Sequence, residues 1–155
     1  MPTPIDAGTL SYVADRIAID DLLTRYTTAV DLERWELFDT VFLPDAVIDY
    51  TSAGGIRGGP DDIRDWLIRA LEPFPVRQHL LGNKEVRIDG DTASVRAYFF
   101  NPLMMTGPDG ASRFLPGGGY YHHRLVRTPD GWRSAELVEE EVWRDGLPDD
   151  LEIPT

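Results

Sequence analysis

Apolar residues fall at Leu10, Val13, Ala14 and Ile17, then at Ile19, Leu22, Leu23, Tyr26, Ala29 and Val30. Steps of three and four put them on one side of a helix, so the pattern predicts an amphipathic helix from Leu10 to Glu33 with Thr9 as its N-cap. The residues before it, 1–8, hold two prolines and a glycine and predict a loose arm. A shorter second helix over 34–42 gathers Trp35, Phe38, Val41 and Phe42 on one face and stops at Pro44. AVIDYT, 46–51, reads as a short strand and the glycine-rich run after it as a loop. Pro60 is suited to start a third helix over 61–71.

From His79 the pattern changes to strands. HLLGNKEVRID, TASVRAYFFNPLMM, GGGYYHHRLVRT and WRSAELVEEEVWR read as four long strands. The first two are joined by a turn at Asp89-Gly90-Asp91 and the last two by one at Pro129-Asp130-Gly131. Helices first and antiparallel strands afterwards define an α+β domain, with the N-terminal helices packed on one face of a strongly curved antiparallel sheet. Without repeats or a linker, 1–155 is expected to be a single domain. Its tail, 145–155, is expected to be irregular and to cover a pocket or reach a neighbouring subunit.

A chain of 155 residues with 42% apolar content suffices for one core. The formal net charge of −12, with basic residues scattered singly, disfavours nucleic acid and anionic membranes as partners. The absence of cysteine excludes thiol catalysis, thiolate metal sites and disulfides. No apolar run reaches the ~18 residues of a membrane span, and the start lacks a basic region followed by an apolar one, so a cytoplasmic location is expected.

Two residues are candidates for the chemistry. Asp31, between two helices, reads alone as an N-cap for the second; His79, alone in a strand, reads as a core histidine. If the two meet, they form a general base and its orienter: a neutral imidazole takes a proton near pH 7 while a carboxylate on its other nitrogen fixes the tautomer and stabilises the imidazolium. Asn101 continues the face of Ala93, Val95, Ala97 and Phe99, where an amide can bind or orient but not carry a proton. His122 and His123 point to opposite faces, and His122, which shares a face with Tyr120 and Arg124, is taken as the pocket-facing one. Three histidines without ligand spacing predict no metal site, and Gly117–Gly119 lack the strand-to-helix setting of a phosphate cradle. Trp35, Phe38, Trp66, Leu80, Phe99, Met104, Met105 and Phe114 are the expected apolar walls, suited to a hydrophobic, partly oxygenated small molecule.

The stretch DLLTRYTTAVDLERW closing the first helix, followed by His79 in RQHLLGN 48 positions after Asp31, resembles the SnoaL-like branch of the nuclear transport factor 2-like superfamily. The resemblance runs over roughly 12–143. That branch holds scytalone dehydratase, bile acid 7α-dehydratase and hexachlorocyclohexane dehydrochlorinase. It implies a cone with an internal pocket, His79 as base, Asp31 as its orienter, and a homo-oligomer, trimer or dimer. A broad convex face and the apolar Leu137, Val138, Val142 and Trp143 of the last strand agree with an oligomer. Tyr26 then stands where the bile acid enzyme has a substrate-facing tyrosine. Tyr50 resembles a tyrosine of scytalone dehydratase that holds a water, but its companion there is Val30 here, which speaks against a scytalone-type substrate. The implied activity is that of a cofactor-independent lyase or isomerase, dehydratase-like. The alternatives are a cyclase running an intramolecular aldol step and a non-catalytic ligand-binding protein.

Overall fold

The computed structural model describes residues 6–148, 151 and 154. Helix α1, Ala7–Asp31, begins three residues earlier than the stripe suggests: the side chain of Asp6, not Thr9, caps it, accepting from the Thr9 amide at 2.7 Å. The part of the expected arm at 1–5 lies outside the described residues. A single 3₁₀ turn, Trp35–Leu37, runs into the one-turn α2, Phe38–Val41, in place of the continuous second helix. Strand β1, Phe42–Asp49, starts directly after it, and β2, Arg57–Gly58, crosses the expected loop. Helix α3 spans Pro60–Ala70 with Pro60 in its first turn. Then come β3 (Val76–Arg77), β4 (Leu80–Asp89), β5 (Thr92–Phe100), β6 (Leu103–Thr106), β7 (Ser112–Leu115), β8 (Gly117–Thr128) and β9 (Gly131–Arg144).

The result is the expected α+β class. The main sheet is open, six-stranded and ordered β2-β1-β9-β8-β5-β4; β3-β6-β7 form a second, small sheet. Two details depart from the sequence reading. β1 pairs with β9 in parallel, so the sheet is mixed; no turn chemistry joins these distant strands, and nothing local sets their direction. The strand expected to run through NPLMM breaks at Asn101-Pro102, where proline lacks the amide a continuing ladder needs, and β6 joins the small sheet instead.

Only the C-terminal part of the α1 stripe is core. Ile19, Leu22, Leu23, Tyr26, Ala29 and Val30 cluster with Ile63, Trp66 and Leu67 of α3 and with Val95, Ala97, Tyr121, Leu125 and Leu137 of the sheet. Leu10, Val13 and Ile17 stay exposed. The first turns are fastened by charge: Asp15 accepts from both terminal nitrogens of Arg127 at 2.7 and 2.9 Å and from Trp132 Nε1 at 3.1 Å, while the Arg127 guanidinium lies 4.4 Å from the centre of the Trp132 ring.

The glycine run has a packing role. A Cβ on Gly117 would strike the Arg144 guanidinium, and one on Gly119 would come within 2.0 Å of the Glu140 carbonyl oxygen at the bulge between β8 and β9. Backbone cannot step aside as a side chain can. Gly119→Ala is therefore expected to destabilise the fold by at least about 2 kcal/mol, read from the midpoint of a urea unfolding curve, with Gly82→Ala on β4, where a Cβ meets only ordinary contact at 3.8 Å, as the contrasting variant.

Candidate active site

α1 ends in a cap that builds the site. Arg34 N donates to the Ala29 carbonyl at 2.9 Å across Glu33, which takes the left-handed conformation at φ 54 that glycine usually fills at this position. That costs Glu33 about 1 kcal/mol and turns its carboxylate onto Arg77. The buried Arg77 guanidinium also donates to the carbonyls of Val30 at 3.1 Å, Leu71 at 3.2 Å and Phe74 at 3.0 Å. One side chain thus pins the end of α1, the end of α3 and the segment leading into β4 together.

Two residues on from Arg77, His79 meets Asp31. Its backbone amide donates to Asp31 Oδ2 at 2.7 Å, and its Nδ1 lies 2.6 Å from Asp31 Oδ1. Both carboxylate oxygens are occupied in this way, and the 3₁₀ turn after α1 has no side-chain cap, so Asp31 is not the N-cap of the second helix. With Nδ1 bonded to the carboxylate, Nε2 is the nitrogen left for chemistry. His79 stands just before β4 rather than inside it.

His79 lines a cavity of about 110 Å³ together with Tyr26, Tyr50, Trp66, Phe74 and Asn101. The far wall comes from Tyr121 on β8 and from Glu139, Glu141 and Arg144 on β9. The tail forms part of the wall: Leu147 and Leu151 line the cavity, and Trp66 Nε1 donates to the Pro154 carbonyl at 2.7 Å. Tail residues 149, 150, 152, 153 and 155 lie outside the described residues.

Tyr26 and Tyr50 share a hydrogen bond through their hydroxyls, and the Tyr26 and Tyr121 rings meet edge to face at 5.4 Å. Burial pushes all three phenols well above their ordinary value, so each stays protonated. Glu139 is half-buried as a residue, but its carboxyl is desolvated. Burial first and the Glu141 carboxylate next push it up to about 7, against opposing pulls from Arg144 and the Tyr121 hydroxyl. Arg144 is committed to Glu141 at 2.7 Å, which leaves its Nη1 without a protein partner among the described residues. Asn101, 8% exposed, has a side-chain oxygen equally without one.

Several expected wall residues sit elsewhere. Phe38 is wholly in the core and the half-buried Trp35 stacks edge-on against it at 5.8 Å. Phe99 stacks behind Tyr121 at 4.5 Å, backing the pocket without facing it. Met104 lies in the small sheet between Val76 and Phe114, Met105 packs on the cluster of Phe74, Leu103 and Leu115, and Leu80 and Phe114 are exposed. His122 is a correction as well. It faces outward and pairs with Glu140 at 2.7 Å, while His123 is the inward one. The signal was present in the sequence, since His123 shares its face with Tyr121 and Leu125.

Even so, His123 is outside the cavity. Ser134 donates to the Glu136 carbonyl at 2.9 Å and so accepts from His123 Nδ1 at 2.9 Å, and His123 Nε2 is buried without a partner. Tyr121, Glu139, Glu141 and Arg144 were missed by sequence reasoning. The alternation in EEEVWR does not show which parity points inward.

With this geometry in hand, comparison with known proteins places the fold. A family model described as a SnoaL-like domain matches residues 11–138. The chain belongs to the SnoaL-like family, within the nuclear transport factor 2-like group. It is similar to an uncharacterised protein of Mycobacterium tuberculosis, 45% identical over 132 residues that make up 85% of this chain and 88% of that one. A solved structure from Novosphingobium aromaticivorans, named as a candidate aromatic ring hydroxylase, is 32% identical with a TM-score of 0.72, covering 87% of this chain and 94% of its own. Two others share the fold at lower identity. A candidate scytalone dehydratase from the same organism has a TM-score of 0.78, 16% identity and coverage of 94% and 96%. A type 2 hexachlorocyclohexane dehydrochlorinase has 0.76, 18%, and 94% and 97%.

Burial holds His123 down at about 3, with His122 adding to the effect. In the unfolded chain the same imidazole takes a proton near 6.5. The folded-state value is depressed, so the contribution of neutral His123 to stability is complete above about pH 6.5 and is lost as pH falls toward 3. His123→Asn keeps a side-chain donor to Ser134 and removes the titration. Its melting temperature is expected to fall less than that of the wild type between pH 7 and pH 4, measured by circular dichroism.

Proposed function

We propose that the protein is a lyase of the dehydratase type, acting by proton abstraction beside a carbonyl group. The reading rests above all on the bond between His79 Nδ1 and Asp31 Oδ1 at 2.6 Å at the wall of the cavity. Asp31 holds the tautomer in which Nε2 carries the lone pair, and it stabilises the imidazolium formed when Nε2 takes a proton. Tyr26 and Tyr50 offer hydroxyls to polarise the carbonyl oxygen. The unpartnered Asn101 oxygen suits a substrate hydroxyl, because a buried acceptor without a donor is costly until one arrives.

Size narrows the substrate. The cavity, at about 110 Å³, is smaller than the apolar cavity of about 150 Å³ that admits benzene, so among the candidate substrates a single-ring compound comes nearest to fitting while the tail is in place. A polycyclic substrate or a folding polyketide chain would need the tail to move. This favours elimination on a compact oxygenated ring over intramolecular cyclisation.

The test is turnover of a panel of single-ring β-hydroxy ketones by the wild type and variants of the dyad, with melting temperatures measured on the same samples. His79→Ala should reduce the rate roughly 10²- to 10⁴-fold. Asp31→Asn should act comparably, and the double variant should be hardly worse than either single one, because the two residues work as a unit. Tyr26→Phe should cost less. Full activity in Asp31→Asn, or a loss matched by unfolding, would return Asp31 to a structural role.

We also propose self-association. Tyr98 and Phe100 on β5 and Val142 and Trp143 on β9 are exposed on either side of β8, and Phe100 stacks on Trp143 at 6.3 Å across Gly118. Leu137, first counted with this face, is instead wholly buried in the core. Sedimentation velocity at micromolar concentration should show a dimer or trimer that Trp143→Glu dissociates; a monomeric wild type refutes it.

A further inference from the structure

Glu139 lies outside the dyad, yet the fold aims it at the same space. It is the direct cross-strand partner of Tyr121 in the β8–β9 ladder, so both side chains leave one face of the sheet. Both line the cavity with His79, and the Tyr121 ring centre is 6.2 Å from that of His79. The Tyr121 phenol and the Glu139 carboxyl are thereby neighbours on the cavity wall.

The other titratable groups facing Glu139 are Glu141 and Arg144 from its own strand, Tyr26 from α1, Tyr50 following β1 and, across the cavity, His79. The phenols are neutral, and Arg144 is already bonded to Glu141. Glu139 therefore has a hydroxyl neighbour and no cation of its own, an arrangement that favours the protonated carboxyl in a cavity that also holds a base.

We propose that Glu139 is the general acid of this site, giving its proton to a leaving hydroxyl, directly or through the Tyr121 hydroxyl, while His79 removes the proton from the adjacent carbon. The assignment rests on the dehydratase reading above. The atoms balance. His79 Nε2 takes the proton α to the carbonyl, and the C–H electron pair becomes the new C=C bond. The bond from the β carbon to oxygen breaks with its electron pair on oxygen, which takes the Glu139 proton and departs as water. The enzyme is left with an imidazolium and a carboxylate, and one proton passed from the first to the second through solvent restores it. The pocket's fixed charges, Asp31 and Glu141 against Arg144, sum to negative, so the fitting substrate is a neutral β-hydroxy carbonyl compound and not a carboxylate.

Two probes separate acid from base: β-hydroxycyclohexanone, whose leaving group needs a proton, and β-acetoxycyclohexanone, which has the same ring and acidic proton but loses acetate unaided. Both give cyclohexenone, followed by its ultraviolet absorbance. In Glu139→Gln the ratio of the hydroxy rate to the acetoxy rate is expected to fall at least about 10²-fold, whereas His79→Ala should depress both rates together. Equal losses on both probes in Glu139→Gln, or no loss on the hydroxy probe, overturn the acid role. Both rates surviving in His79→Ala sinks the dehydratase reading instead.

A measurement without substrate decides the acid's state independently: the carboxyl carbon resonances of ¹³C-labelled protein, with Glu139→Gln assigning the signal. A Glu139 carboxyl titrating near pH 7 is the expected result, and one ionised throughout by pH 5.5 overturns the proposal. The same elevation means that Glu139 favours the folded state below about pH 4.5 and loses that contribution as pH rises through about 7. Glu139→Gln should accordingly melt higher than the wild type at pH 8, with the gap closing toward pH 5, which also shows that the variant is folded.

Discussion

The site depends on one junction, where the end of α1 meets the chain entering β4. A helix C-terminus leaves carbonyls without amides, and here the Ala29 carbonyl is met by Arg34 N while the Val30 carbonyl is met by the Arg77 side chain. A guanidinium suits this task because its donors spread in a rigid fork, and it reaches the Leu71 and Phe74 carbonyls at the end of α3 as well. Burying that cation is tolerable only with its donors engaged. The three segments are thereby held in one arrangement, and His79, two residues along, arrives at Asp31 with both its amide and its imidazole in bonding range. The backbone bond matters as much as the ring bond. It fixes where the residue starts, so the imidazole has few ways to turn.

A second constraint sits in the last hairpin. On β9, Trp132 and Ser134 point inward, yet so do Leu137, Glu139 and Glu141. The parity changes because Leu125 pairs with Ser134 while Arg124 pairs with Glu136, which leaves Ala135 as an extra residue. Such a bulge turns the following side chains to the opposite face. The half of β9 before the bulge builds core, and the half after it builds the polar wall of the cavity. A second irregularity between Gly118 and Gly119 bends the ladder again where Arg144 and Trp143 need the space the glycines leave.

These two features explain what could be read from the sequence. Helix and strand order, the hairpin at Asp89-Gly90-Asp91, Pro60 at the head of α3 and the α+β class all follow from local periodicity and turn chemistry, and the structure has them. Asp31 and His79 were nameable because a known family arranges such residues alike; spacing alone could not show that they touch. His122 was misplaced because two adjacent histidines differ only in parity, although the burial of Tyr121 and Leu125 on either side of His123 carried the answer. Glu139 and Glu141 were out of reach, since their inward direction depends on a bulge at Ala135 that no residue type marks. Trp35, Phe38 and Phe99 were assigned to the pocket on aromatic character, which does not distinguish a cavity wall from the core behind it.

The cavity also shows how one fold sets carboxyl groups to different work. Asp31 receives two hydrogen bonds from His79 and none from a cation, so it serves the imidazole. Glu141 is matched to Arg144 and serves as its counter-charge. Glu139, on the same wall, has a phenol and the Glu141 carboxylate beside it and an Arg144 already bonded to Glu141, so burial outweighs the opposing pulls and raises it to about 7. Identical chemistry is sorted by neighbours alone, and pairs of titratable groups pushed apart by their surroundings are what acid–base catalysis at pH 7 requires. Because the sorting relies on desolvation, it depends on what packs around each carboxyl, and Leu147 and Leu151 of the tail contribute apolar surface to the cavity that Glu139 lines.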